Sequence, residues 1–273
     1  MKRLSDTSPE AERVLIGICR DMPFERKWKI IGDTFRTARA LYAAGVRLRH
    51  PAATDRDICE SWLAQRFGDL PRRPCEDPAM FLSGDELRLY LEVAAILTKL
   101  GAPPVLGGSL AAAIHGYDRH TYDADVTVDP FPGKEAQLVE ALGPDWYVSL
   151  PAVEEAVRCR SAFNLIHHGT GFKVDVFVRK DEPFEQSAMA RGVSATLPER
   201  PDQPIRVQTP EDLILFKLRW YRLGNEVSEK QWDDVLSVLK VQAGRLDDAY
   251  LDRWAAELHV ADLLAKARQE SVV

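Results

Sequence analysis

The stretch VLGGSLAAAIHGYDRHTYDADVTVD, residues 105–129, decides how the rest of the chain is interpreted. It predicts a short buried strand, a turn at Gly107 and Gly108, and then a short helix. Its end alternates apolar and polar residues and predicts a second strand. Because side chains two residues apart on a strand point the same way, Asp123 and Asp125 share one face. The segment thus combines a glycine turn with a pair of carboxylates that lie on the same face of the following strand.

A carboxylate pair of this kind needs a cation. Asp123 and Asp125 repel each other when held close, and a divalent ion removes the conflict. Hard carboxylate oxygens suit Mg²⁺, which binds through one or two carboxylates plus substrate phosphates. A third carboxylate, Asp175, lies inside the apolar segment FKVDVFV, where it is costly unless paired or metal-bound. If that strand lies beside the first, three carboxylates converge in a manner that suits two-metal phosphoryl or nucleotidyl transfer.

The glycine turn supplies the other half of such a site. Gly107 and Gly108 carry no side chains, so the backbone can approach a phosphate closely. Ser109 then starts a helix, and the amides of a helix N-terminus favour anions. A triphosphate held there would bring its α-phosphorus near the metal.

The combination resembles the nucleotidyltransferase superfamily related to DNA polymerase β. Its pattern is matched by Leu106-Gly107-Gly108-Ser109, thirteen intervening residues, Asp123-Ala124-Asp125 and the later Asp175. The segment HGYDRHTYDADV resembles the R-x-T-x-D-x-D form of bacterial minimal nucleotidyltransferases and toxin–antitoxin members. TPEDLILFKL, downstream, is similar to a segment of the abortive-infection (AbiEii-like) members. The resemblance covers about residues 84–265.

The resemblance implies a role for each of the matched residues. Asp123 and Asp125 would bind Mg²⁺, or Mn²⁺ in its place, and Asp175 would complete the metal site and activate the acceptor hydroxyl. The β- and γ-phosphates of an NTP substrate would be held by Ser109 and by the amides of Gly107 and Gly108.

Two basic residues are further candidates for the triphosphate. Lys217, on the helix that follows TPEDLILF, is either a triphosphate ligand or a solvated helix lysine. Arg119 is either a phosphate ligand or a structural hydrogen-bond donor. A positive charge at either position would offset charge that develops on the leaving pyrophosphate.

Periodicity and composition divide the chain into four parts. Residues 1–67 predict a helical module, and residues 68–83 a proline-rich linker. Residues 84–208 mix strands and helices and form the predicted nucleotidyltransferase core. Residues 209–273 are helical again. The expected fold class is α+β: a mixed β-sheet flanked by helices, with helical segments at both ends.

Charge is spread unevenly over these parts. Residues 1–73 hold 15 Lys and Arg against 10 Asp and Glu, whereas the remaining 200 hold 21 against 32. A basic N-terminal module could meet RNA or an acidic protein; a merely solvated helical surface is the alternative.

Hydropathy and cysteine content indicate in which cellular compartment we expect the protein. No apolar run reaches the roughly 18 residues of a membrane span, and the N-terminus lacks the apolar core of a signal peptide. We therefore expect a cytoplasmic protein with no membrane partner. The four cysteines are far apart, which favours buried or idle thiols over a disulfide framework or a zinc site.

The sequence thus predicts a Mg²⁺-dependent enzyme that moves a nucleoside monophosphate from an NTP to an acceptor. The resemblance favours tRNA or a protein as acceptor, in a toxin–antitoxin or phage-defence setting. A non-catalytic antitoxin or binding module on the same fold and an antibiotic nucleotidyltransferase are the alternatives. Homo-oligomer formation and a toxin–antitoxin partner are left open.

Overall fold

The computed structural model describes residues 8–21, 24–67, 85–115, 123–197 and 200–271. The helices within these ranges are α1 (Pro9–Asp21), α2 (Phe24–Arg49), α3 (Asp55–Phe67), α4 (Asp85–Lys99), α5 (Gly108–His115), α6 (Glu135–Leu142), α7 (Leu150–Cys159), α8 (Pro183–Arg191), α9 (Pro210–Leu223), α10 (Glu229–Val241), α11 (Asp248–Glu257) and α12 (Ala261–Ser271). Of these described helices, none is both long and apolar enough to cross a bilayer.

The strands form one mixed sheet. They are β1 (Val105–Leu106), β2 (Asp123–Val128), β3 (Trp146–Tyr147), β4 (Ala162–His167), β5 (Lys173–Val178), β6 (Val193–Leu197) and β7 (Arg200–Val207). Their order is β3-β4-β5-β2-β1-β7-β6. β2 pairs with β5, and β1 with β7, in parallel; the other neighbours are antiparallel. The predicted α+β fold, with helical segments at both ends of the chain, is confirmed.

Several helices begin at a residue whose side chain caps the first turn. The hydroxyl of Ser8 accepts from the amide three residues later, at 3.2 Å. Thr54 and Asp57 satisfy each other's amides at 2.8 and 3.2 Å. Thr209 accepts from the amide of Asp212 at 3.2 Å. These side chains satisfy amides that have no partner inside the first turn of a helix.

The N-terminal helix α2 packs directly on α5. A Cβ at Gly45 would lie 1.9 Å from the carbonyl oxygen of Ile114, so only glycine permits this approach. Arg49 donates to the same carbonyl at 3.0 Å, and Leu41 and Ala44 join the main hydrophobic core. The proposed division into modules stays a prediction, and its linker lies outside the described residues.

One prediction about the cysteines is wrong. Cys59 forms a disulfide, although the wide spacing of the cysteines predicted free thiols. Sequence separation does not limit which thiols the fold brings together. Cys159 is a free thiol and is exposed.

Candidate functional site: carboxylates beside a glycine turn

The predicted arrival of Asp175 beside the first carboxylate pair is observed. β2 and β5 run in parallel, and Asp125 lies opposite Asp175 in their register. Along β2, the residues that alternate with the carboxylates are buried, whereas Asp123 and Asp125 are partly exposed. One face of the sheet therefore carries all three carboxylates.

The glycine turn and the carboxylate pair are in direct contact at Gly108. Gly108 has φ +57°, and a Cβ there would lie 1.7 Å from Oδ2 of Asp125. Any other residue would be strained by this φ and would overlap the carboxylate. The Asp125 side chain therefore lies at the N-terminal end of α5, where the helix dipole stabilises negative charge.

The amide of Gly107 does not have the phosphate-binding role that the sequence predicts. This amide donates to the main-chain oxygen of Asp125 at 2.8 Å, so it is used within the sheet and is not available to a phosphate. The missing side chain of Gly107 matters instead, because a Cβ would lie 3.0 Å from the side chain of Gln208. Ser109, the second residue of α5, is half-buried, and its role with a phosphate stays a prediction.

Asp175 is fully buried and has a donor at each oxygen. Asn164 donates from Nδ2 to Oδ1 at 2.7 Å, and the ammonium of Lys173 forms an ion pair with Oδ2. The amide of Ser8 donates to Oδ1 of Asn164 at 3.1 Å, which turns the amide group of Asn164 towards Asp175.

Lys173 also faces the first carboxylate. Its Nζ lies 3.8 Å from Oδ2 of Asp123, and its side chain is 9% exposed against 38% for Asp123. The ammonium thus lies between Asp123 and Asp175. Sequence reasoning missed this lysine, although alternation on the strand places residue 173 on the same face as residue 175.

A divalent cation fits part of this arrangement. Asp123 and Asp125 offer partly exposed, hard oxygen donors on one face, which suits Mg²⁺ or Mn²⁺. Asp175 does not fit equally well, because a lysine and an amide already use both of its oxygens. Within the described part of the chain, no three His, Cys, Asp or Glu side chains are grouped so as to hold a metal ion. This differs from the predicted three-carboxylate metal site.

The two basic candidates for the triphosphate have different outcomes. Lys217 is buried and donates to Asp234 at 2.7 Å and to Gln231 at 3.1 Å, between α9 and α10. It is therefore not a solvated lysine, and its hydrogen bonds within the described residues do not reach β2 or β5. Arg119 lies outside the described residues.

A second buried carboxylate lies at the start of α9. Asp212 accepts hydrogen bonds from Thr209 at 2.7 Å and Tyr250 at 2.6 Å, and Arg191 lies 3.5 Å away. Arg191 also pairs with Glu211 at 3.1 Å. We call these five residues the Asp212 network. Burial raises the pKa of Asp212, and the hydrogen bonds from Tyr250 and Thr209 oppose the shift.

His115, at the C-terminal end of α5, is a buried histidine. Its Nε2 donates to the carbonyl of Gln208 at 2.7 Å, and Gln242 donates to the His115 carbonyl at 2.7 Å. Burial lowers the pKa of His115 to about 4, against an opposing effect of the Gln208 carbonyl. The ring is therefore neutral near pH 7 and links the glycine-turn helix to the strand end before α9.

Comparisons with known proteins give few matches. No protein-family model matches the chain, and no curated protein gives a significant match. Among solved structures, the antibiotic-resistance factor ANT(2'')-Ia is similar with a TM-score of 0.39 and 16% identity over 64% of this chain and 97% of that one. An antigenic nucleotidyltransferase-like protein from Paracoccidioides brasiliensis is similar with a TM-score of 0.40 and 19% identity, over 68% and 93%.

Proposed function

We propose that the chain is a nucleotidyltransferase that moves a nucleoside monophosphate from an NTP to an acceptor hydroxyl. The acceptor oxygen forms a bond to the α-phosphorus while the bond from that phosphorus to the bridging oxygen breaks. Pyrophosphate leaves, and the hydroxyl proton passes to solvent. Mg²⁺, or Mn²⁺ in its place, would be held by Asp123 and Asp125 and would neutralise charge on the phosphates.

One observation carries the proposal: the close contact between Gly108 and the carboxylate of Asp125. A helix N-terminus that favours phosphate and a carboxylate that favours a divalent ion are thereby only one van der Waals contact apart. A metal–triphosphate complex needs a phosphate site and a metal-binding carboxylate next to each other. An ordinary surface turn or a solvated acidic pair needs neither.

The residues of the chain then have separable roles. The first turn of α5, which begins at Gly108, would hold the phosphates, and Ser109 would contribute its hydroxyl. Asp123 and Asp125 would orient the cation towards the α-phosphate. Asp175, whose oxygens are engaged by Asn164 and Lys173, would fix the charge balance of the face rather than accept a proton.

For the acceptor we propose a hydroxyl of tRNA or of a protein, in a toxin–antitoxin or phage-defence setting. The excess of basic residues in positions 1–73 favours a macromolecular acceptor over a small molecule. An antibiotic as acceptor is tested by a drug panel with a pyrophosphate readout.

Transfer of label from α-³²P-NTPs to RNA or protein in cell extract, with Mg²⁺, tests the proposal. Asp125→Asn should reduce transfer about 100-fold or more, since metal-held charge is worth several kcal/mol in such reactions. The matched control is Asp129→Asn: Asp129 follows β2 and pairs with Arg179 at 2.6 Å. Equal rates in both variants would contradict the proposal.

A non-catalytic binding module is the second candidate. It is favoured by the ion pair of Asp175 with Lys173, because that pair removes one carboxylate from metal binding. In that case the wild-type chain would bind NTP without any transfer of label to RNA, protein or drug. Detectable transfer that Asp125→Asn abolishes would exclude this candidate.

A further inference from the structure

We infer that Lys173 supplies, as a fixed ammonium, the positive charge that a second divalent ion would supply at Asp175. The site then takes one divalent ion, on Asp123 and Asp125. This inference deepens the proposed function and rests on it. It makes Lys173 a positioning residue of the carboxylate face.

The register of the sheet places Lys173 for this role. Residue 173 lies opposite Asp123 across the parallel pair of strands, and Asp175 lies opposite Asp125. Two steps along β5 separate Lys173 from Asp175, so both side chains point to the same face. The ammonium reaches Asp175 directly and remains 3.8 Å from Asp123. It therefore sits between the two carboxylates, where an ion shared by them would have to bind.

Burial makes the ammonium difficult to displace. The Asp175 side chain is fully buried, and that of Lys173 is 9% exposed. An ion that bound Asp175 would have to expel this ammonium from its carboxylate and would leave two cations side by side in a poorly solvated place. Separating a buried ion pair is strongly unfavourable because it leaves uncompensated charge.

The other oxygen of Asp175 is equally engaged. Asn164 donates to it and is itself held by the amide of Ser8. The Asp123 side chain is 38% exposed, and Asp125 is partly exposed at the N-terminal end of α5. Asp123 and Asp125 are therefore the two carboxylates of this face that solvent reaches, and such a pair matches one ion and not two.

The test is the number of Mn²⁺ ions bound by the full-length chain without nucleotide, counted by electron paramagnetic resonance titration. The wild-type chain should bind one ion, and Asp125→Asn should lose it. Lys173→Met should bind two, because Asp175 is then released to bind metal. Lys173→Arg, which keeps the charge, should still bind one.

The outcomes separate this inference from the proposed function. Two ions on the wild-type chain would overturn the role of Lys173 while leaving nucleotidyl transfer in place. No bound ion would overturn both the role of Lys173 and the metal dependence of the proposed function. The wild-type count decides the matter even if Lys173→Met does not fold. In a folded Lys173→Met, a count that stays at one would also overturn the inference.

Discussion

Two of the buried carboxylates in the described residues, Asp175 and Asp212, are held in different ways. Asp175 is neutralised by a buried lysine and lies opposite a partly exposed carboxylate in the sheet. Asp212 is held mainly by two hydroxyls, and the nearby Arg191 is 31% exposed and shared with Glu211. In the first arrangement two neighbouring carboxylates, Asp123 and Asp125, remain partly exposed. In the second, both oxygens of Asp212 accept hydrogen bonds from hydroxyls within the network.

The difference indicates which buried charge belongs to a functional site. In the Asp212 network both carboxylate oxygens accept hydrogen bonds from hydroxyls, and these bonds fix the start of α9. The carboxylate face instead combines one neutralised acid with two accessible acids, Asp123 and Asp125, and a helix N-terminus. Such unequal environments for neighbouring acids are typical of sites built for chemistry.

The largest expected effect is that of Asp175→Asn. This change removes the carboxylate that forms the close ion pair with the buried Lys173 ammonium. We expect a loss of about 3–5 kcal/mol in the free energy of unfolding, because breaking a buried ion pair is strongly destabilising. Asp212→Asn should cost only about 1–2 kcal/mol, because it disturbs hydrogen bonds to neutral hydroxyls. Urea denaturation of both variants measures the contrast.

A double variant checks the cause. Lys173→Met with Asp175→Asn removes both charges, so it should recover part of the stability that Asp175→Asn loses. Equal stability of Asp175→Asn and Asp212→Asn would show that the two carboxylates are held alike.

The next effect concerns His115, which joins the two regions. Burial lowers the pKa of His115 to about 4 in the folded chain, from an ordinary 6.5. The unfolded chain therefore takes up the proton first, and stability falls as pH drops from 6.5 to about 4. The loss should reach about 3 kcal/mol and then level off.

The variant His115→Gln isolates this contribution. It lacks the titrating ring, so its free energy of unfolding should change less between pH 6.5 and 4 than that of the wild-type chain. Parallel curves for the two proteins in that window would contradict the assignment.

Much of the fold could be predicted from local pattern. β1, α5 and β2 follow from one glycine turn and the alternation after it, and the β4–β5 hairpin follows from its GTG turn. The caps at Ser8, Thr54 and Thr209 are local as well, because each bond joins residues three positions apart. These signals need no knowledge of distant residues.

The missing parts depend on tertiary contacts. β3 has two residues, too few for a periodic signal, and β6 is identified only by its pairing with β7. Lys173 was missed because alternation along a strand predicts which face a side chain lies on. It does not predict that the ammonium contacts two acids on different strands. The docking of α2 through Gly45 was missed likewise, since an apolar helical face does not show what it contacts.

Comparing alanine variants of two glycines with positive φ distinguishes the cost of backbone strain from the cost of overlap with Asp125. Gly133 has φ +80° and open space around its missing Cβ, whereas Gly108 has φ +57° and would overlap Asp125. Alanine at either should cost about 1–2 kcal/mol from the backbone alone. Gly108→Ala should cost about 1–3 kcal/mol more from the overlap. Thermal unfolding of both variants measures the difference, and NTP binding should weaken in Gly108→Ala only.

The smallest effect returns to the Asp212 network. Tyr250→Phe removes the hydroxyl that donates to Asp212 and contacts Ser187 at 3.0 Å. It should cost about 1–2 kcal/mol of unfolding free energy and leave label transfer unchanged, because the network holds the helix and touches no substrate. A loss of transfer of more than about tenfold, equal to 1.36 kcal/mol of barrier, in a fully folded variant would place Asp212 within the site. The contrast between an open and a closed buried carboxylate would then fail.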